Sequence, residues 1–108
     1  MDSSLNYSSI LKKTVREATR DQPRLQQIKL YPVCDFDSGH FLVVATGLDE
    51  KGWIDFILFH ARLVDRQVIV EIDNFEDGLI TSLIEAGIPS QDIITGFNYH
   101  RRVAMSSD

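Results

Sequence analysis

Residues 68–97 read VIVEIDNFEDGLITSLIEAGIPSQDIITGF, and this stretch decides the fold. Its β-branched opening, extended back to Gln67 as QVIVEID, predicts a strand ending at Asp73. Asp73-Asn74-Phe75-Glu76 then offers an acceptor with a carboxylate three residues on, the pattern of a capping box. Glu76 and Asp77 would sit in the first helical turn, where the helix dipole favours negative charge. Leu79, Ile80, Leu83, Ile84 and Ile88 recur at helical steps and form an apolar stripe. Gly87 suits the position just past a helix end, and Pro89 follows it. Ser90 opens a short turn towards Asp92, and Ile93, Ile94 and Phe97 are expected to pack back on the core.

Working upstream, three more strand candidates appear. Gln26–Cys34 contains Pro32, which has no N–H to give a ladder and so belongs on a sheet edge. His40–Gly47 (HFLVVATG) follows the turn Asp37-Ser38-Gly39, and Trp53–Leu63 (WIDFILFHARL) follows the turn at 49–52. Asp65-Arg66 is the short turn before Gln67. Such turns leave no room for crossover helices and predict an antiparallel meander. Strict alternation in the third strand puts Ile54, Phe56, Leu58 and His60 on one face. Trp53, Asp55, Ile57, Phe59 and Ala61 fall on the other. Both sets are mostly apolar, so the strand is central and both faces need cover: helices on one, a second subunit on the other. A homo-oligomer, most simply a dimer, is expected.

The amino-terminal segment, roughly Ser4 to Arg20, reads as an amphipathic helix. Leu5, Ile10, Leu11, Val15 and Ala18 make its apolar stripe, and Pro23 bars its continuation. Lys12, Arg16 and Arg20 follow one another at four-residue steps, with Lys13 beside them. This basic stripe reads as a solvated helix face or as a nucleic-acid contact. The fold class is therefore α+β: an N-terminal helix, a four-stranded mainly antiparallel sheet, and C-terminal helices packed on one face, in a single domain over residues 1–108.

Composition narrows the function. With 108 residues, 44% hydrophobic and 25% charged, the chain is an ordinary globular domain and not a disordered tail or coiled-coil rod. No apolar run approaches the roughly 20 residues that span a bilayer, and no secretory signal is visible. One cysteine, Cys34, permits no internal disulfide, so a cytoplasmic location is expected. The net charge of −5 repels nucleic acid, yet residues 1–30 hold six basic groups against three acidic ones. The remainder holds five against thirteen, an acidic body suited to a basic partner.

Reaction centres are weakly represented. His40, His60, His100 and Cys34 lack the spacing of a metal motif, and no cofactor is expected. A metal-dependent nuclease would draw on Asp55, Glu71 and Asp73, with Glu71 and Asp73 on one strand face. The lysine such a site wants is missing, since only Lys51 follows Lys29. Asp73, Glu76 and Asp77 form an acidic knot that reads either as helix capping or as a docking point for arginine.

The run from Val68 to Phe97 resembles the XisI family, named for the fdxN-element excision controlling factor of cyanobacteria. Asp73, Glu76, Gly78, Gly87, Ile88, Pro89, Asp92, Ile93 and Phe97 match its signature, and His60 falls where the family has a similar residue. Ile69, Glu71, Phe75 and Ser90 depart from it. The resemblance extends over about residues 5–100. It implies an accessory factor, not an enzyme, that controls excision of a DNA element by a separate site-specific recombinase. It also implies contact with an XisH-like partner of nuclease fold. Direct DNA binding through Lys12, Lys13, Arg16 and Arg20 is the alternative, and a metal-dependent nuclease the lesser one.

Overall fold

The computed structural model describes residues 3–20 and 27–106. Helix α1 (Ser3–Ala18) is followed by strands β1 (Lys29–Asp35), β2 (His40–Asp49), β3 (Gly52–Val64) and β4 (Gln67–Asp73). Helix α2 (Ile80–Glu85), a single 3-10 turn (Ser90–Asp92), strand β5 (Ile93–Thr95) and helix α3 (Gly96–Ser106) complete the chain. Pro23 and Gln26, at the expected helix stop and first strand start, lie outside the described residues, as does the side chain of Leu5. The class is α+β, as the sequence predicts.

The sheet has five strands and not four, in the order β1-β2-β3-β4-β5. β1 to β4 form the expected antiparallel meander, with Pro32 on the edge strand. β5 adds parallel to β4, pairing Val68 with Ile93 and Val70 with Thr95. Parallel addition needs a crossover, and α2 supplies it. Three residues are too few to show a strand period, so Ile93-Ile94-Thr95 reads in sequence only as packing residues.

Two bulges reset the strand faces, one in β3 and one in β4. Val43 pairs with Phe59 but Val44 pairs with Ile57, leaving Leu58 of β3 without a partner on β2. His60 pairs with Ile72 but Ala61 pairs with Val70, leaving Glu71 unmatched on β4. An unmatched residue shifts the alternation by one. Ile54 and Phe56 therefore join the face of Phe59 and Ala61, while Trp53, Asp55 and Ile57 join the face of His60 and Arg62. The single alternation expected along Trp53–Leu63 is corrected accordingly.

One face carries the core. Leu11 and Val15 of α1 and Leu83 of α2 meet Phe41, Val43, Phe59, Ala61 and Val68, all fully buried. Tyr7 donates its hydroxyl to Asp92, tying α1 to the turn before β5. The C-terminal helices do not share this face. α2 packs here with α1, whereas α3 covers the opposite face at β4 and β5, where Arg102 donates to Gln67 at 3.1 Å. Ile69, buried but outside the core of the helix-covered face, lies on α3's side. The parity of β4 explains this, because Gln67, Ile69 and Arg62 point away from Val68 and Val70.

The start of α2 also differs from expectation. Residues 75–78 close a turn, with the Gly78 amide donating to the Phe75 carbonyl at 3.1 Å. Gly78 holds φ +74, a left-handed conformation that interrupts a helix and is easiest for glycine. Glu76 and Asp77 thus lie in the turn, and α2 has no acidic residue in its first turn. Asp73 is no capping-box residue. Its carboxylate accepts from the Leu79 amide at 2.8 Å and the Phe75 amide at 3.4 Å, spanning the loop. At its other end α2 stops as predicted: Gly87 donates to Ile84 and Ile88 to Leu83, the paired bonds of a Schellman motif. Asp73→Ala removes the acceptor of two loop amides and is expected to cost about 1–2 kcal/mol. Denaturant unfolding checks this, with Asp73→Asn recovering part of the loss.

Candidate interaction surface

The face opposite α1 and α2 is only partly covered. α3 shields β4 and β5, and β1 to β3 are left open. Along β1, Tyr31 and Val33 point outward opposite Val44 and Leu42 of β2. Along β3, Ile57 lies opposite Val44 and Trp53 opposite Leu48. Trp53 is 72% exposed, and Tyr31, Val33, Leu48 and Ile57 are also exposed. Period-two alternation explains their shared face, and the bulge at Leu58 brings Trp53 and Ile57 onto it. Isolated exposed apolar residues are ordinary, but neighbours on three adjacent strands form a patch of the kind that marks an interface.

Polar groups border the patch where α3 begins. His40 Nδ1 lies 2.8 Å from His60 Nε2, with the rings stacked at 5.1 Å between centroids. Next to them Arg62 Nε donates to Glu71 Oε2 at 2.8 Å, and His100 of α3 reaches the same oxygen at 3.0 Å. Arg62 also lies over the Tyr99 ring, 5.5 Å from its centre. The two partners hold the Glu71 carboxyl below its usual range against the opposing pull of burial, the largest single influence on it.

Burial pushes the His60 imidazole below its ordinary value, and His40 and Arg62 add to the effect while Glu71 opposes it. A histidine lowered in the folded state binds fewer protons there than in the unfolded chain. Stability is therefore present above the ordinary histidine value near 6.5 and is lost as pH falls below it. The loss levels off once folded His60 itself takes up a proton. Urea midpoints recorded from neutral to mildly acidic pH should fall in this window, and His60→Gln should flatten the fall.

The carboxylates of the nuclease reading do not converge. Asp55 is exposed in the row of Thr46. The bulge at Glu71 turns it to Arg62 and His100, while Asp73 opposes Phe59 and serves the α2 loop. Glu71 and Asp73 thus do not share a strand face as the sequence reading had it. Among the described residues no group of three or more His, Cys, Asp or Glu side chains is placed to hold a metal ion. Cys34 lies on the helix side of β1, where burial pushes its thiol up.

The signature residues have mostly structural places. Gly78 forms the turn before α2, and Gly87 and Ile88 end that helix. Pro89 precedes the 3-10 turn, Asp92 receives Tyr7 and Glu76 is exposed. Phe97, expected to pack on the core, instead stands exposed on α3, because α3 lies on the other side of the sheet. Lys12, Lys13, Arg16 and Arg20 do come together, lining one groove of α1 with Phe36. The His40–His60 contact was missed in sequence, because it depends on strand register that alternation alone does not give. Among the described residues no helix is long and apolar enough to cross a membrane.

The chain matches the family described as XisI protein over residues 1–106. Two solved structures from Anabaena variabilis ATCC 29413 are similar to it. A XisI-like protein aligns with a TM-score of 0.77 at 18% identity, covering 86% of this chain and 85% of that one. The fdxN element excision controlling factor XisI aligns with a TM-score of 0.67 at 19% identity, covering 87% and 92%. At these identities the likeness shows the fold. No curated protein matches the chain.

Proposed function

The chain belongs to the XisI family, and on that premise we propose that it is an accessory factor controlling excision of a DNA element. It acts in the cytoplasm, without chemistry of its own, through contact with an XisH-like partner that resembles a nuclease. The observation that carries this reading is the open apolar face of β1 to β3. A sheet with one face buried under helices normally presents polar residues on the other. Here Tyr31, Val33, Trp53 and Ile57 stand where polar residues would serve solubility better, which supports a protein partner seated on them.

A second reading has support of its own: the same face pairs two copies of this chain. Lys29, Thr46 and Asp55 lie in one cross-strand row, with the cation at the sheet edge and the carboxylate on the central strand. A two-fold axis lying in the interface, parallel to the strands and crossing this row at Thr46, brings each Lys29 to the other copy's Asp55.

Co-expression with an XisH-like protein and affinity purification of either one tests the proposal. A stable complex of both is the expected result. A chain that stays monomeric and leaves the partner in the unbound fraction at micromolar concentration refutes it. A homodimer that excludes the partner favours the second reading.

A further inference from the structure

We propose that the groove between α1 and the end of β1 binds an unpaired nucleic-acid strand, with backbone phosphates on Lys12, Arg16 and Arg20 and a base against Phe36. The groove has a volume of about 430 Å³ and is lined by Ser9, Lys12, Lys13, Arg16, Glu17, Arg20 and Phe36. It holds four cations and one carboxylate, in a chain whose net charge is −5. Among the described residues none of the four cations makes an ion pair; the two ion pairs there both involve Glu71. The charge is thus available to a ligand. The adjacent Asp35 carboxylate is occupied within its own turn by the Ser38 hydroxyl at 2.9 Å and the Asp37 amide at 3.1 Å.

The spacing and the aromatic ring narrow the ligand class. Lys12 and Arg16 are four residues apart on one helix, about 6 Å along its axis. They form a row of positive charge that a chain of phosphates can follow and that a single anion would not fill. Phe36 is 51% exposed, and the Lys12 ammonium lies 5.7 Å from the centre of its ring. A phosphate held by Lys12 therefore places its nucleotide beside the ring. Cations in a row next to an exposed aromatic side chain are the components by which proteins hold single strands. The groove has the size of a small-ligand site, enough for one nucleotide unit beside the exposed ring. The contact uses the opposite side of the sheet from the open apolar face, so it stands whether or not that face takes a partner.

Fluorescence anisotropy with the chain alone tests the site, using labelled oligothymidylate, the same strand paired with oligoadenylate, and a labelled polyglutamate peptide. The single strand is expected to bind best, with a log–log salt slope of about −2 for three phosphate contacts. Lys12→Gln with Arg16→Gln should reduce that slope to about −0.7. Phe36→Ala should weaken the single strand at least about fivefold with an unchanged slope, and Phe36→Trp should restore it. The tryptophan variant keeps the test meaningful if the alanine variant folds poorly. Absence of strand binding at low salt, equal affinity for the duplex, or equal affinity for polyglutamate would each overturn the proposal.

Discussion

Ile57→Lys combined with Trp53→Ala is expected to weaken the complex with an XisH-like partner about a hundredfold or more. The effect on the thermal midpoint of the chain alone should be small. Both side chains are exposed on the open sheet face, so their loss leaves no cavity in the core. At a docked surface Ile57 continues the row of Tyr31 and Val44, and Trp53 is the largest exposed side chain of the face, where truncation of a tryptophan anchor costs about 2 kcal/mol or more. A lysine forced into the same dry contact adds the penalty of an unpaired charge. Titration calorimetry of partner against wild type and double variant gives the ratio directly. Phe97→Ala on α3 removes an equally exposed aromatic side chain outside the β1–β3 patch and should leave the affinity nearly unchanged. Undiminished affinity in the double variant would move the docking surface elsewhere on the molecule.

The asymmetry between the two sheet faces explains how the fold can serve such a role. α1 and α2 seal one face with a continuous apolar core, and α3 reaches only the β4–β5 side of the other. The Arg62–Glu71–His100 cluster anchors α3 there through charge-assisted contacts. The result is a meander whose open half is largely apolar and whose covered half is held by polar contacts. A partner docking on β1 to β3 meets preordered strands and pays little ordering entropy.

Much of this was legible in the sequence, for identifiable reasons. The strands β2 to β4 are long and separated by short turns, so their existence and antiparallel order follow from local pattern. Asp65 at φ +57 is one such turn residue, tolerated because aspartate enters the left-handed region more easily than most. Gly87 and Pro89 ended α2 where expected. The bulges at Leu58 and Glu71 were not legible, since a bulge is a property of two strands in register and neither residue marks it alone. Everything downstream of them was missed for the same reason: the face of Trp53, the separation of Glu71 from Asp73, and the His40–His60 contact. The basic residues of α1 were legible as a helical row, but Phe36 joins them only when β1 packs beside that helix. The turn at Gly78 was readable in principle, because glycine after two acidic residues is a turn signal as well as a helix-start neighbour. The capping pattern competed with it, and the left-handed glycine prevailed.

Phe59→Ala is expected to cost about 3–5 kcal/mol, whereas Trp53→Ala should stay within about 0.5 kcal/mol. Strict alternation along β3 would put the two residues on one face and predict comparable burial. The bulge at Leu58 separates them: Phe59 is 0% exposed between Val43 and Asp73, while the larger Trp53 is 72% exposed. Removing the Phe59 ring takes away its contacts in the buried core cluster beneath the helices and leaves a void that a close-packed interior fills only partly. A loss of that size is a large share of the about 5–15 kcal/mol that holds a small domain folded. Urea unfolding of the two variants measures the difference, with a lowered midpoint and an unchanged slope expected for Phe59→Ala. Equal losses would mean that β3 runs without its bulge, and Trp53 would then belong to the core and not to the docking face. The same pair of measurements therefore tests the strand register on which the functional reading rests.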